Sequence, residues 1–114
     1  MLRGSRRREA LAVSALGKQD GDPLIVDLRS ERIESWSALW DALAAPCGLP
    51  TWFGRNLDAW WETIHGGGIS EVLDRHSFLT VLVSRNGLFA PGADGLRFVE
   101  TTNECDYARA EIMP

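Results

Sequence analysis

The stretch Leu-Pro-Thr-Trp-Phe-Gly-Arg-Asn-Leu-Asp-Ala-Trp-Trp-Glu, residues 49–62, decides the fold because it joins a turn, a helix cap and an amphipathic helix. Pro50 restricts the backbone, Gly54 tolerates a positive φ, and Asn56 is a good N-cap whose side-chain oxygen accepts from an unpaired helical N–H. After this cap, apolar residues recur at i, i+3, i+4 and i+7, namely at Leu57, Trp60, Trp61 and Ile64. The pattern predicts a helix from Asn56 to about Ile64 with one face turned toward a core.

Asp58, Glu62 and His65 form a neighbouring stripe on the same predicted helix. The two carboxylates lie about one turn apart and only about 40° apart around the helix axis, so they point the same way. Like charges at this spacing weaken an isolated helix. The pair is therefore either tolerated on a solvated face or retained for a cationic partner, and spacing alone leaves both interpretations open.

Length and composition favour a single soluble domain. A chain of 114 residues is long enough for one core. Its longest apolar runs fall well short of the ~18 residues needed to span a bilayer, and its basic start lacks the apolar segment of a secretory signal. Two cysteines, Cys47 and Cys105, make neither a disulfide framework nor a metal cluster. We therefore expect a non-exported protein of the reducing cytoplasm, with two partly buried thiols and no membrane contact.

Charge is unevenly distributed along the chain. Five basic and three acidic residues give residues 1–23 a net charge of +2, whereas residues 24–114 carry −6, for a total of −4. We interpret residues 1–23, with the triplet Arg6-Arg7-Arg8, as a basic and disordered leader and residues 24–114 as the folded domain. The acidic domain argues against direct binding of nucleic acid, since phosphate contacts require clustered Lys and Arg, and it favours a basic partner.

The remaining elements predict an α/β fold. In chain order, we expect a buried strand at 24–28, a helix from Trp36 after the cap Ser35 to about Cys47, a helix stop at Gly66-Gly67-Gly68, a helical turn at 69–73, a central strand at 78–83, a short helix near 96–100 and an edge or third strand at 107–112. Helical connections place successive strands in parallel. The expected fold is one small domain in which a three-stranded parallel sheet is packed with helices.

Catalytic and metal-binding patterns are weak. His65 and His76 are not spaced as zinc ligands, and Gly66-Gly67-Gly68 lacks both the order and the preceding strand of a dinucleotide site. Asp58 and Glu62 invite comparison with the carboxylate pair of a glycosidase, but they lie on one exposed stripe instead of in a deep cleft. We predict no enzyme activity, no metal and no cofactor.

Tryptophan is frequent, with five residues in the chain. Trp36, Trp40 and Trp60 fit core positions at helical spacing, whereas Trp52 in the loop and Trp61 at the margin of the apolar face are better placed for exposure. An exposed tryptophan beside carboxylates is typical of a protein-binding hot spot. The stretch at 49–62 is therefore expected to be a recognition surface.

The same stretch resembles the signature Leu-Pro-x-aromatic-aromatic-Gly-x-Asn-Leu-Asp-Ala-Leu-Trp-Asp of barstar-like proteins, the intracellular inhibitors of small microbial ribonucleases. The strand and helix order from about 24 to 83 agrees with the fold of that family, while the last thirty residues agree loosely. The resemblance implies an inhibitor, or immunity protein, whose loop and second helix plug the basic active site of a small secreted ribonuclease. It places carboxylates where the substrate phosphate would lie and implies a monomer when no partner is bound.

By motif position, the resemblance also implies which residues bind the partner. Trp52 replaces a tyrosine contact, Asn56 keeps the cap, Asp58 keeps the first key aspartate, and Trp61 keeps its tryptophan. The other members of the implied surface are Leu57, Glu62, His65, Gly66 and, in the short helix near 96–100, Glu100.

The chain departs from the family pattern at two points. Glu62 stands where the family has the aspartate that reaches deepest into the enzyme, and one more methylene moves the carboxylate by roughly 1.3 Å. His65-Gly66-Gly67 stands where the family has a threonine, a glycine and another tryptophan. These departures motivate an alternative, a regulatory interaction module of the same fold that binds a non-ribonuclease partner or another toxin. RNA binding through Arg6-Arg7-Arg8 ranks far lower.

Overall fold

Three parallel strands form the sheet in a computed structural model that describes residues 21–114. The strands are β1 (Leu24–Asp27), β2 (Leu79–Ser84) and β3 (Ala108–Met113), and β2 lies between the other two. Leu79 of β2 is opposite Leu24 on one side and opposite Ala108 on the other. The three-stranded parallel sheet predicted from the sequence is therefore confirmed, with the strand at 78–83 at its centre.

Four helices connect the strands, and the first three begin at polar caps. They are α1 (Trp36–Ala44), α2 (Leu57–Gly66), α3 (Glu71–Arg75) and α4 (Leu96–Asn103), with a 3₁₀ turn at Gly87–Phe89. The backbone N–H of Ala38 donates to the Ser35 hydroxyl at 3.1 Å, and that of Ala59 donates to the Asn56 side-chain oxygen at 2.8 Å. Because α1 to α3 connect β1 to β2, and α4 connects β2 to β3, both connections are helical, as a parallel sheet requires.

The core lies between one face of the sheet and the helices. Along β2, residues alternate between buried and half-buried, so Val81 and Val83 pack inward. The same core cluster holds buried aromatic rings from α1, the loop before α2, α2, the 3₁₀ turn and α4, and the rings of Trp60 and Phe98 are 5.3 Å apart. The largest fully buried side chains in the described residues are Trp60, Phe98, Leu39 and Leu43.

Four local expectations need correction. Ile25 is 64% exposed although a buried strand was predicted, because it lies on the face of the sheet away from the core, in register with Thr80 and Arg109. The helical turn predicted at 69–73 instead forms at Glu71–Arg75, since Ser70 caps it. Trp36, predicted in the core, is half-buried. Both cysteines are buried fully and not partly, because they pack within the core.

The predicted leader lies mostly outside the described residues, which begin at Gly21, and this includes the triplet Arg6-Arg7-Arg8. Of the three described residues before β1, Asp22 contacts the segment that precedes β2. Its carbonyl oxygen accepts from the Ser77 backbone N–H at 3.1 Å and lies 2.9 Å from the Nδ1 of His76. Within residues 21–114, no helix has the length and apolar character needed to cross a membrane.

Candidate functional site

The solvent-facing stripe of α2 carries the side chains that the sequence singled out. Asp58, Glu62 and His65 are all exposed, and we call these three residues the acidic face. Asp58 lies in the first turn of α2, where the positive end of the helix dipole favours a carboxylate. Neither carboxylate is in an ion pair with another residue of 21–114. The acidic face therefore presents two uncompensated negative charges to solvent.

Buried contacts of Trp60 fix the rotation of α2 about its axis. Its indole N–H donates to the hydroxyl of Thr102 in α4 at 2.9 Å, and both side chains are fully buried. Thr63, also fully buried, donates from its hydroxyl to the carbonyl of Ala59 at 2.7 Å. A helix turned inward at Trp60 and Thr63 must turn the opposite stripe outward. This is why Asp58 and Glu62 face solvent.

Two adjacent aromatic residues of the preceding loop have opposite environments. Phe53 is buried and packs edge-on against Trp40, with ring centroids 5.5 Å apart. Trp52 is 70% exposed. The loop is thus anchored by one ring while it holds the other in solvent, close in sequence to the start of α2.

The turn into α2 is formed at Arg55. Gly54 is the residue of this stretch that best tolerates a positive φ, but the residue in the left-handed region is Arg55, with φ 57°. Its guanidinium reaches back to α1, where it donates to the Ser37 hydroxyl at 2.9 Å and pairs with Asp41 at 3.1 Å. Asn56 then caps the helix, as predicted, and its side-chain amide also donates to the carbonyl of Gly54 at 3.2 Å.

The far end of the acidic face is aromatic. Trp61 is half-buried and its ring stacks on His65, with centroids 4.6 Å apart and planes inclined by 12°. Gly66 is the last, exposed residue of α2. Beyond it the chain turns away through Gly68, whose backbone N–H donates to the Asp74 carboxylate at 2.7 Å. Because residues 66–68 are all glycine, no side chain directly follows His65 on this flank.

Glu100 lies on the solvent side of α4. It is exposed, and it falls between Phe98 and Thr102, which are both buried against α2. A groove also joins α4 to the start of α2, with α1 on its other side. The residues that line it are Trp36, Trp40, Arg55, Asn56, Leu57, Asp58 and Arg97. The structure thus brings α4 beside α2, while most predicted site residues lie on α2 itself.

Sequence reasoning missed several residues that build this surface. Arg55 and Trp36 line the groove, and Trp36 donates from its indole N–H to the Asp94 carboxylate at 3.3 Å. Thr63 and Thr102 are polar residues buried at helix-packing positions. The signal available for Thr63 was its place between Trp60 and Ile64 on the inner side of the helical pattern. No local signal pointed to contacts such as Trp36–Asp94, which are 58 residues apart in the chain.

The charged and aromatic side chains of this surface are suited to binding another protein. Burial raises the pKa of the Cys47 thiol to about 12, so this cysteine is held in its unreactive, protonated form at neutral pH. Among residues 21–114, no three His, Cys, Asp or Glu side chains are grouped to hold a metal ion. The exposed carboxylates and Trp52 instead suit a cationic protein surface.

Comparison with known proteins assigns the chain to a family. Residues 24–104 match the family model described as Barstar (barnase inhibitor). No curated protein matches the chain. The matched region runs from β1 through α4 and includes the acidic face, the loop before it and Glu100. With the three-stranded parallel sheet and its helices, this match shows that the chain belongs to the barstar family, whose members are inhibitors of ribonuclease.

Proposed function

We propose that this protein binds a small basic ribonuclease and blocks its active site with the acidic face and the loop before it. The observation that carries the proposal is the pair Asp58 and Glu62, two exposed carboxylates one helical turn apart with no cationic partner among residues 21–114. The pair lies on a chain of a ribonuclease-inhibitor family. In this proposal the protein performs no chemistry.

Charge accounts for how such an inhibitor finds its target. A ribonuclease active site is basic because it must hold the phosphates of its substrate, so it attracts carboxylates in the same positions. The domain that carries the acidic face has a net charge of −6 over residues 24–114. Complementary charge speeds association and makes it sensitive to salt. We expect Asp58 and Glu62 to lie where substrate phosphates would otherwise bind.

The residues around the two carboxylates supply the rest of the proposed contact with the partner. Trp52, with 70% of its surface exposed, gains most from desolvation against a partner. Trp61 is half-buried and adjacent to Glu62 in sequence, and α4 contributes Glu100. The complete proposed binding set is Trp52, Asn56, Leu57, Asp58, Trp61, Glu62, His65, Gly66 and Glu100.

The setting that we propose follows from the same charges and thiols. The partner is a secreted ribonuclease made by the same cell or by a competitor, and the inhibitor acts in the cytoplasm as a monomer until it binds. Buried, unoxidised Cys47 and Cys105 suit a reducing compartment. The longer side chain of Glu62 favours a target whose basic pocket lies roughly 1.3 Å further from the α2 backbone than one shaped for aspartate.

Inhibition of a panel of small basic microbial ribonucleases by the purified full chain tests the proposal. We expect stoichiometric inhibition of at least one enzyme. Asp58→Ala or Glu62→Ala should weaken it by about 30-fold or more, the effect of losing a hot-spot contact worth about 2 kcal/mol. Glu31→Ala is the matched control, because it removes an equally exposed carboxylate from the loop between β1 and α1.

Salt provides a second arm of the same experiment. Association should slow as ionic strength rises, and the slowing should be smaller for Asp58→Ala than for Glu31→Ala. Inhibition that is equally sensitive to all three substitutions would contradict the proposal. Inhibition of no enzyme in the panel would favour the alternative, an interaction module that binds another toxin or a regulatory partner.

A further inference from the structure

Arg55 has an unusual backbone conformation for its residue type. Among residues 21–114, it is the one non-glycine residue with a positive φ, at 57°. The left-handed region is disfavoured for any residue with a Cβ, so other contacts must hold Arg55 there. It is the last residue before the cap of α2, in the loop that also carries Trp52.

Three contacts to α1 hold the Arg55 side chain. Its Nη2 donates to the Ser37 hydroxyl at 2.9 Å and to the Ser37 carbonyl at 3.1 Å, and it lies 3.1 Å from an Asp41 carboxylate oxygen. The loop before α2 is therefore tied to α1 by one guanidinium. The same contacts commit the positive charge of Arg55 to Asp41 in preference to Asp58, although Arg55 and Asp58 line one groove.

We propose that Arg55 is a positioning residue of the recognition surface. Its bonds to Ser37 and Asp41 hold residues 50–56 in the conformation that binds a partner, and they keep its guanidinium away from Asp58. The statement about partner binding rests on the proposed function, whereas the statement about loop order concerns the protein alone.

Both effects favour binding for separate physical reasons. A loop that is ordered before the encounter loses less conformational entropy when the complex forms. Trp52 has little packing of its own, so the position of its ring depends on the loop backbone. A guanidinium released from Asp41 stays within the groove that Asp58 lines, where it would compete with cations of the partner. Asp41 thus supports the acidic face without belonging to it.

The first test uses the full-length protein without a partner. Arg55→Asn removes the guanidinium but keeps a residue that tolerates the left-handed region. We expect faster amide hydrogen exchange at Phe53 and Ala59, whose N–H groups donate to the Pro50 carbonyl and the Asn56 side chain, and a lower NMR order parameter for the Trp52 indole. The midpoint temperature of thermal unfolding should change little, because Arg55 and Asp41 are exposed and an exposed ion pair adds little stability. The proposal would be overturned if Arg55→Asn and the natural chain had the same exchange rates and the same order parameter.

The second test is a double-mutant cycle on association with a ribonuclease that the natural chain inhibits. Asp41→Asn should weaken binding by about threefold or more when Arg55 is present and have no effect in the Arg55→Asn background. Glu31→Gln is the control, because it removes one exposed negative charge without touching Arg55. Equal effects of Asp41→Asn in both backgrounds would show action through net charge alone and overturn the proposal.

The two tests separate this inference from the proposed function. If no ribonuclease binds, the proposed function fails, and hydrogen exchange on the unbound protein still decides whether Arg55 orders the loop. If a ribonuclease binds and the loop of Arg55→Asn remains ordered, the proposed function stands and the positioning role of Arg55 is wrong.

Discussion

The imidazole ring of His65 stacks on the indole ring of Trp61, with centroids 4.6 Å apart and planes inclined by 12°. The two residues are four apart on α2, so one turn of helix places them face to face. His65 is exposed and covers one side of a half-buried tryptophan that borders Glu62. The stack therefore gives the acidic face a flat aromatic end, which a partner would meet next to a carboxylate.

Removing the stack separates its effect on stability from its effect on recognition. His65→Ala should lower the free energy of unfolding by less than about 1 kcal/mol, because His65 itself is exposed. Trp61→Ala should lower the free energy of unfolding by more than His65→Ala does, since Trp61 also packs against the core. Urea unfolding of both variants checks this order. A greater loss in His65→Ala than in Trp61→Ala would contradict it.

The N-caps of α1 and α2 allow the effect of a cap on stability to be compared with its effect on binding. Asn56 caps α2 and Ser35 caps α1, through hydrogen bonds of 2.8 and 3.1 Å. Asn56→Ala and Ser35→Ala should each destabilise the fold by about 1 kcal/mol. Only Asn56→Ala should also weaken ribonuclease inhibition, because it loosens the helix end that carries Asp58. If both substitutions weakened inhibition equally, the global stability of the protein, and not the start of α2, would limit binding.

The buried bond between Trp60 and Thr102 should be important for stability. Thr102→Val keeps the shape of the side chain but leaves the Trp60 N–H without its acceptor at 2.9 Å. We expect a loss of about 1–3 kcal/mol in the free energy of unfolding. The neighbouring Thr101→Val, at a half-exposed position, is the control and should change it by less than about 0.5 kcal/mol. Equal stabilities of the two variants in urea would refute the role of this bond.

Alkaline pH should destabilise the protein through Cys47. Burial raises the pKa of its thiol from 9.0 to about 12. Between these values the unfolded chain loses the thiol proton while the folded chain keeps it. The contribution of Cys47 to the free energy of unfolding should then fall by about 1.4 kcal/mol per pH unit.

Urea unfolding from pH 7 to pH 11 checks this effect, with Cys47→Ala for comparison. The natural chain should lose stability more steeply than the variant above pH 9, so the difference between them should shrink. Parallel losses in the two proteins would show that Cys47 stays neutral in both states or ionises in both.

Local sequence determined the elements of this protein. Apolar spacing and the cap at Asn56 predicted α2, β-branched residues predicted the central strand, and glycines predicted where α2 ends. The parallel sheet followed because helices connect the strands. The motif at 49–62 also predicted the family. The helical period predicted the exposure of Asp58 and Glu62, because it fixes which side chains share a face, and the position of Trp52 in the loop predicted its exposure.

Tertiary structure alone decided how those elements meet. Gly54 tolerates a positive φ best, yet Arg55 takes that conformation, and its side chain is bonded to Ser37 and Asp41 of another helix. The burial of Thr102 depends on Trp60, 42 residues away, which supplies its hydrogen-bond partner. Periodicity reports only neighbours along the chain. Contacts between distant segments depend on how helices pack on the sheet, and this packing sets which charges are paired and which remain exposed for a partner.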